Sequence, residues 1–437
     1  MLEILLFCVY LLGILLLLFR WKFITKSGLN KKSILLLFVV KLGFSYLLYL
    51  VYTIYYTDRT LADIFKFYDD AKLLYTNLYN IDKIKYWKIV FGIDNDTPSI
   101  YREIKHLQYW FEPNEKTSYN DNRIIIRINL LMYPFTNGLY AIHALIFSFI
   151  SYVGLIAFYR TAKKFFMVNS KLTILSIFLI PSVLFWGSGN LKESVLIFAL
   201  GFYTLYLFQT LNKFNLFNIC LLLTTALLLL YTKSYVLLTL IPGSFSLFIS
   251  KYFNHKKLGL TIILTLVVCL TCLLLTHYFL PELDLITQIQ KKQIEFNAVA
   301  IQMKAASKIN LPLLDNNIFS NIINASLAVV NTLFRPTIID ATSVLSFIAG
   351  IENFVIIILI VLAILFPLKP TEKQKQFIYF SICFTLLLSL FIGLIVPVLG
   401  AIVRYKIPYL PLLYLSIITL IDFQKIKQKI KLYRNGK

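Results

Sequence analysis

Acidic residues in the segment 57-138 are the first candidates for catalytic chemistry. The segment follows a long apolar stretch and begins with TDRTLADIFKFYDDAKLLYTNLY. Asp63 and Asp70 are seven residues apart, so on a helix they lie nearly in line, and Asp69 is next to the second of them. A carboxylate at a membrane surface is well placed to take a proton from a hydroxyl group. The alternative is a solvated face whose acids pair with nearby lysines, and composition alone favours that alternative.

The residues that carry these acids have the pattern of an amphipathic helix. Over 61-79, apolar and aromatic residues recur at helical spacing and form one apolar face. Such a face is typical of a helix that lies along the membrane interface. We therefore expect an interfacial helix over 61-79 that presents the aspartates outside the bilayer.

A second acidic motif raises the question of a metal. Asp94-Asn95-Asp96 is a string of hard oxygen ligands that could hold a divalent cation bridging phosphates. The surrounding IDNDTPS also reads as a turn built from Asn, Asp and Pro, and this interpretation is the stronger one. We therefore expect no metal site, although a divalent cation stays possible as a cofactor.

Basic residues at the ends of apolar stretches could bind an anion. In PSVLFWGSGNLKESVLIF a turn is followed by Lys192 and Glu193 at the start of a helix. An acid suits the first turn of a helix, so Glu193 has a structural explanation. Lys192 has none of that kind, and a cation beside free helix N–H groups attracts a phosphate headgroup.

Further charged or polar residues occupy similar positions at span edges. Charges there cost several kcal/mol unless they are paired or hydrated, and they often mark functional cavities. The alternative for each is snorkelling or a structural ion pair. The residues of this group are Arg127, Lys233, Arg335, Arg404 and Tyr405, with Glu352 inside a span.

Hydropathy decides which elements position these residues. The chain has 437 residues, of which 59% are hydrophobic and 15% charged, and its mean hydropathy is +0.75. A soluble domain carries about 25% charged residues, so a soluble protein is excluded. Because a membrane helix needs about 20 apolar residues, we expect an all-α bundle of about eleven spans. They lie near 2-19, 33-56, 139-159, 172-186, 194-210, 215-231, 235-250, 258-280, 342-367, 377-399 and 407-421.

The net charge of +22 is explained by topology. If the tail is cytoplasmic, the cytoplasmic segments hold 22 basic and two acidic residues, as the positive-inside rule requires. A nucleic-acid partner therefore loses its support. We expect a multi-pass protein of the plasma (inner) membrane with its N-terminus outside and its C-terminus in the cytoplasm.

This topology predicts six regions. The predicted regions are two N-terminal spans (1-56), an external loop with the candidate aspartates (57-138), a six-span core (139-280), a second external loop (281-341), three C-terminal spans (342-421) and a basic cytoplasmic tail (422-437).

Cations at headgroup depth and carboxylates just above them suit a lipid-linked phosphate or diphosphate. The cations would stabilise a phosphate leaving group, and an aspartate would accept the proton of an incoming hydroxyl. Glycosyl transfer from a polyprenyl-linked donor to a saccharide acceptor meets both requirements, with inversion if attack is direct.

The order of the motifs resembles the GT-C superfamily of integral-membrane glycosyltransferases, in particular Wzy-like polymerases of bacterial surface-polysaccharide loci. The motifs are DIFKFYDDAKLLY, RIIIRINLLMYPF, PSVLFWGSGNLKES, LFRPTIIDA with IEN, and VRYKIPYLPLL, scattered over 58 to 411. The resemblance implies a lipid-linked sugar donor, Asp63 or Asp70 as the base, and phosphate ligands at Lys192, Arg335 and Arg404. This chain has one span more before the aspartate loop and lacks a clean acidic pair. The choice among its aspartates, and any need for a metal, therefore stays open.

Two other functions compete with a transferase. A flippase or transporter of lipid-linked oligosaccharide would be expected to show an internal repeat and charges through both halves of the bilayer, and neither is evident. A membrane scaffold is the third reading, against which the external clustering of charge argues. The sequence thus favours a glycosyltransferase or polysaccharide polymerase in the lipid bilayer, with a polyprenyl-linked saccharide donor and a saccharide acceptor as its partners.

Overall fold

In the residues described by its computed structural model, the chain consists of helices joined by turns and loops. These are residues 1-56, 58-94, 97-111, 120-166, 169-253, 258-279, 285-314 and 318-435, and no β-strand occurs among them. The all-α class predicted from the sequence is confirmed.

Twenty α-helices follow one another in the described ranges. The first ten are α1 (Leu2–Arg20), α2 (Lys22–Thr25), α3 (Lys31–Leu50), α4 (Asp63–Leu78), α5 (Lys83–Phe91), α6 (Pro98–Ile104), α7 (Asn122–Thr136), α8 (Tyr140–Thr161), α9 (Ser170–Phe178) and α10 (Pro181–Trp186). The others are α11 (Lys192–Asn212), α12 (Leu216–Phe253), α13 (Leu258–Phe279), α14 (Leu285–Gln302), α15 (Ile318–Phe334), α16 (Val344–Leu365), α17 (Glu372–Ile395), α18 (Leu399–Tyr405), α19 (Leu410–Thr419) and α20 (Phe423–Asn435).

Seven helices in the described part of the chain are long and apolar enough to cross a membrane. They are Leu2–Arg20, Lys31–Tyr55, Tyr140–Phe166, Lys192–Asn212, Leu216–Lys251, Val344–Leu365 and Glu372–Ile395. An eighth is added if α18 and α19, which are bent by 71° at their break, form one span. This number and length of apolar helices are consistent with a multi-pass membrane protein.

The predicted number of about eleven spans is larger than this, for local reasons. The apolar stretch 172-186 is divided into the short helices α9 and α10, with Pro181 at the start of the second. The stretches 215-231 and 235-250 are both within α12, which consists of two helical parts separated by a kink at Lys233, where the backbone is not helical. Hydropathy measures length of apolar sequence and does not distinguish a kink or a break from a loop.

The chain divides into two compact units, which are described separately below. Unit 1 consists of Met1–Arg160, Val183–Leu205 and Cys220–Ser234, and unit 2 consists of Thr161–Ser182, Tyr206–Ile219 and Tyr235–Lys437.

In unit 1, the apolar face predicted over 61-79 is covered by other helices of the chain. That face belongs to α4, and its residues Tyr68, Ala71 and Leu74 are buried in a core shared with α5 and α7. The amphipathic helix α7 supplies the opposite wall of this core, with Ile126 fully buried. The apolar face of α4 therefore packs on α7 and α5, and the position of this helix at the membrane interface stays a prediction.

Two glycines in unit 1 bring α8 and α11 into backbone contact. A Cβ atom on Gly154 would lie 2.5 Å from the Cα of Phe198, and one on Gly201 would collide with the carbonyl oxygen of Gly154. Small residues at such a crossing let membrane helices pack closely. The crossing holds α11, and with it Lys192 at its start, against α8.

In unit 2, α17 is the central helix. It packs along α15, α19 and α14. Gly393 of α17 permits the close approach of α15, since a Cβ there would collide with the carbonyl oxygen of Ala328. Nearly all of α19 is buried, so the apolar sequence of this short helix faces protein.

Candidate functional site

The three candidate aspartates of α4 lie in different environments. Asp63 is the first residue of the helix, and its Oδ1 atom is 2.8 Å from Lys66 Nζ. Asp69 accepts two hydrogen bonds from Arg59, at 2.9 Å from Nε and 2.7 Å from Nη2. Arg59 is held in place further by the ring of Phe65, whose centroid is 4.0 Å from its guanidinium carbon. Asp69 thus forms a bidentate ion pair with Arg59.

Asp70 is buried and holds a loop. Its Oδ1 accepts the backbone N–H of Gln108 at 3.1 Å, and its Oδ2 accepts that of Tyr109 at 2.8 Å. Burial outweighs these hydrogen bonds and raises the pKa of Asp70 to about 6. With both oxygens occupied by backbone donors, Asp70 acts mainly to fix the loop that carries Tyr109.

Tyr109 connects this loop to the start of α7. Its ring centroid lies 5.2 Å from Lys66 Nζ, and its hydroxyl donates to the carbonyl of Thr60 at 2.6 Å. Its own carbonyl accepts the side-chain amides of Asn120 and Asn122, at 3.2 Å and 3.0 Å. Burial, followed by the nearby aspartate charges, raises the pKa of Tyr109. Asp121 is thereby held between two anchored asparagines.

Lys192 at the start of α11 meets this same region. Its Nζ lies 2.5 Å from Asp121 Oδ1 and 5.5 Å from the ring centroid of Phe67, a residue of α4. The pair is partly open, because the side chain of Asp121 is 35% exposed and that of Lys192 is 13% exposed. The carboxylate partner of Lys192 comes from 71 residues away, and sequence reasoning did not identify it. The signal available was the acid in DNR immediately before α7.

Glu193 and Lys233 form a second, deeper ion pair beside the first. Lys233 Nζ is 2.9 Å from Glu193 Oε1, and their side chains are only 6% and 1% exposed. Lys233 lies at the kink of α12, where the local backbone leaves the helical conformation. We call Lys66, Lys192, Lys233 and their carboxylate partners Asp63, Asp121 and Glu193 the lysine–carboxylate cluster.

A buried polar network supports the turn before α11. His143 Nδ1 lies 2.7 Å from Asn129 Oδ1, and Nε2 lies 2.8 Å from the Thr136 hydroxyl. Asn129 and Asn190 bond each other through their side chains at 3.0 Å and 2.7 Å. With Asn129 Oδ1 as acceptor, the neutral ring carries its proton on Nδ1. This network joins α7, α8 and the turn before Lys192, and its histidine was missed from the sequence.

Arg127 has a different environment from the lysines. Its Nε donates to the carbonyl of Ile89 at 3.2 Å, and its guanidinium carbon lies 5.3 Å from the ring centroid of Trp110. The guanidinium also covers Gly92, which ends α5 with a positive φ. These contacts place Arg127 between α7 and α5, where it ties the two helices together.

In unit 2, Arg335 is engaged by an acid of the same turn. Asp340 accepts Arg335 Nε at 3.0 Å and Nη2 at 2.6 Å, and it also accepts the backbone N–H of Thr337 at 2.8 Å. The Arg335 guanidinium holds the pKa of Asp340 well below its usual range. Asp340 was not singled out from the sequence, although it lies five residues after Arg335 in LFRPTIID.

Lys406 is linked to this turn through Asn353. Lys406 is fully buried and donates to Asn353 Oδ1, while Asn353 Nδ2 donates to the carbonyl of Pro336 at 2.7 Å. Arg404 is partly buried near the end of α18. The ring centroid of Tyr405 lies 6.3 Å from those of Tyr235 and Phe296.

Glu352 lies next to Asn353 on α16 and is also buried. Its Oε2 accepts the backbone N–H of Ser182 at 2.8 Å, and its carbonyl accepts the Tyr414 hydroxyl at 3.1 Å. The buried carboxylate of Glu352 is thus one residue along α16 from Asn353, the residue that accepts the buried ammonium of Lys406.

The possible metal motif is only partly described. Asp94 pairs with Lys88 at 2.7 Å and has a positive φ of 57°, which fits a turn. Asn95 and Asp96 lie outside the described residues. Within the described ranges, no three His, Cys, Asp or Glu side chains are grouped so that they could hold a metal ion.

Comparisons with protein-family models, curated proteins and solved structures find no match to this chain. The site is therefore interpreted from its own residues.

Proposed function

We propose that this chain is a membrane glycosyltransferase or polysaccharide polymerase. It would transfer sugar from a polyprenyl-phosphate or polyprenyl-diphosphate donor to an acceptor hydroxyl on the external face of the membrane. The observation that carries the proposal is the lysine–carboxylate cluster of unit 1, whose three ion pairs join residues at the starts of α4, α7 and α11 and at the kink of α12.

The two lysines of α11 and α12 suit a phosphate leaving group. Lys192 is next to Glu193 in the chain, and Glu193 holds the Lys233 ammonium at 2.9 Å. A phosphate that develops charge between them would be stabilised by two cations in a region of low water content. The Lys192–Asp121 pair is the more exposed of the two, so in the proposal the phosphate displaces Asp121 from Lys192 while Glu193 keeps Lys233 in place.

Among the candidate bases, the contacts favour Asp63. Asp70 accepts two backbone N–H groups and Asp69 accepts two hydrogen bonds from Arg59, whereas Asp63 pairs with Lys66, a member of the cluster, at the start of its helix. In the proposed step, the acceptor oxygen attacks the anomeric carbon and its proton passes to Asp63. The bond from that carbon to the phosphate oxygen breaks, and the phosphate leaves with the electron pair. Direct attack inverts the anomeric configuration.

Arg335 and Arg404, expected as phosphate ligands from the resemblance, are not needed for this step. The guanidinium of Arg335 already donates two hydrogen bonds to Asp340. Their role in binding donor stays a prediction.

The test uses purified full-length protein and a radiolabelled polyprenyl-linked sugar. Asp63→Asn should reduce transfer by at least about 100-fold while donor binding persists, because loss of a general base costs about 10²–10⁴ in rate. Lys192→Ala should weaken donor binding at least about tenfold, since a charge-assisted contact to phosphate is lost. The matched control is Lys85→Ala, which removes a partly exposed lysine paired with Glu103 at 3.1 Å in the same segment.

The proposal fails if Asp63→Asn transfers sugar at the normal rate and Lys192→Ala binds donor as tightly as the control. The alternative function, a flippase for lipid-linked oligosaccharide, gives another result. In that case the lipid-linked sugar crosses the membrane of a proteoliposome intact, and no polyprenyl phosphate is released.

A further inference from the structure

The start of the C-terminal helix α20 is joined by backbone hydrogen bonds to the segment that follows α16. The backbone N–H of Asp422 donates to the carbonyl of Phe366 at 2.8 Å, and that of Leu368 donates to Leu420 at the same distance. Pro367 and Ile421 form an isolated β-bridge between these bonds. We call this pairing of 366-368 with 420-422 the root of α20. Because α16 ends at Leu365, the root holds the start of α20 beside the end of α16.

An apolar groove opens directly beside this root. It has a volume of about 360 Å³ and lies between α16, α17 and α19. Its lining includes Ile360, Ile364 and Ile417, and also Leu368 and Leu420, which make the hydrogen bond of the root. The lining side chains are aliphatic or proline apart from Ser416. A groove of this size and polarity can hold part of an acyl chain but not a charged group.

Three lysines, Lys369, Lys425 and Lys429, lie next to the segments that form the root of α20. Lys369 follows the groove residue Leu368 and is exposed. Lys429 lies with Nζ 5.5 Å from the ring centroid of Phe366, so this side chain folds back toward the end of α16. Lys425, four residues earlier, occupies the same face of α20. It is 61% exposed and its Nζ is 3.5 Å from Asp422 Oδ2, a long contact.

We propose that the root of α20 is a binding site for an anionic phospholipid. Its acyl chain lies in the groove, and its phosphate lies against Lys425 and Lys429, with Lys369 at the rim. The apolar groove matches the acyl chain of such a lipid, and the lysines beside it match the phosphate. On the predicted topology this is the cytoplasmic leaflet, which carries anionic lipids.

The helix itself offers a matched control. Lys427 and Lys431 are also four residues apart and exposed, but helical geometry turns them about 160° away from Lys425 and Lys429. Lys425→Gln with Lys429→Gln and Lys427→Gln with Lys431→Gln therefore remove the same charge from the same helix. A lysine at an anionic surface contributes about 1 kcal/mol, which is about fivefold in binding.

The experiment measures binding of fluorescent phosphatidylglycerol to the purified full-length protein in neutral detergent. We expect phosphatidylglycerol to bind more tightly than phosphatidylcholine, and the Lys425/Lys429 variant to lose about 25-fold in affinity while the Lys427/Lys431 variant changes less than threefold. Ala363→Phe, which fills the groove, should weaken binding with all lysines intact.

Three results overturn the site. Equal losses for the two lysine pairs would mean diffuse attraction by the helix. Displacement of the lipid by excess inorganic phosphate alone would mean an anion site without an acyl-chain groove. Unchanged affinity in both the Lys425/Lys429 variant and Ala363→Phe would mean that the lipid binds elsewhere.

Discussion

The buried pair of Glu193 and Lys233 makes a quantitative test of the lysine–carboxylate cluster. The pair is 2.9 Å long and its side chains are at most 6% exposed. Glu193→Gln keeps the shape of the side chain but leaves the Lys233 ammonium without its carboxylate. Removing one member of a buried ion pair costs about 3–5 kcal/mol, because the remaining charge has lost both water and partner.

The chain contains a matched surface pair. Lys292 and Glu295 on α14 are also 2.9 Å apart, but their side chains are 43% and 44% exposed. Water screens such a pair, so Glu295→Gln should cost less than about 1 kcal/mol. The free energy of unfolding of each variant is measured by denaturant titration in mixed micelles. A cost for Glu193→Gln no larger than that for Glu295→Gln would refute the reasoning.

A double variant separates stability from function. Glu193→Gln with Lys233→Met removes both charges, and most of the stability lost in Glu193→Gln should return. If Lys233 helps to bind phosphate, this stable double variant should still bind the lipid-linked donor at least about tenfold more weakly. Normal donor binding in a stable double variant would assign the pair a structural role only.

Two further predictions concern Asp70 and the glycine crossing. Burial raises the pKa of Asp70 to about 6, so its contribution to stability is present below its unfolded pKa and is lost as pH rises through about 6. Relative to Asp70→Asn, the wild type should lose up to about 3 kcal/mol between pH 4 and pH 7, and a pH-independent difference in unfolding free energy would contradict this. Gly201→Ala should destabilise by about 1–3 kcal/mol, because its Cβ meets the Gly154 carbonyl. Gly43→Ala is the control, since a Cβ there meets nothing within 4 Å. Equal melting temperatures for the two variants would contradict the close contact of α8 and α11 at Gly201.

Hydropathy and helical spacing were sufficient for the class of the molecule and for several local elements. The apolar stretches predicted a helical membrane protein. The structure confirms the helical class, and seven helices in its described part are long and apolar enough to cross a membrane. The helix predicted over 61-79 corresponds to α4, Asp63–Leu78, and the turn before Lys192 leads into α11 at that residue. These features depend on residues close together in the chain, so local sequence carries their signal.

The partners of the charged residues were decided only by the tertiary structure. Asp121 lies 71 residues from Lys192, and Lys233 lies 40 residues from Glu193. Each charge alone was compatible with lipid contact, an ion pair or a ligand site. Which carboxylate reaches which lysine depends on the packing of α4, α7, α11 and α12, and no local pattern records that packing.

The environment of α4 shows the same division. Its amphipathic spacing is a property of the sequence, and it predicts an apolar face without saying what covers that face. The structure covers it with α7 and α5, and it turns Asp70 inward to the loop at Tyr109 while Asp63 stays at the surface. The sequence determined the faces of the helices, because periodicity is local, whereas only the tertiary structure determined what each face contacts, because those contacts join distant segments.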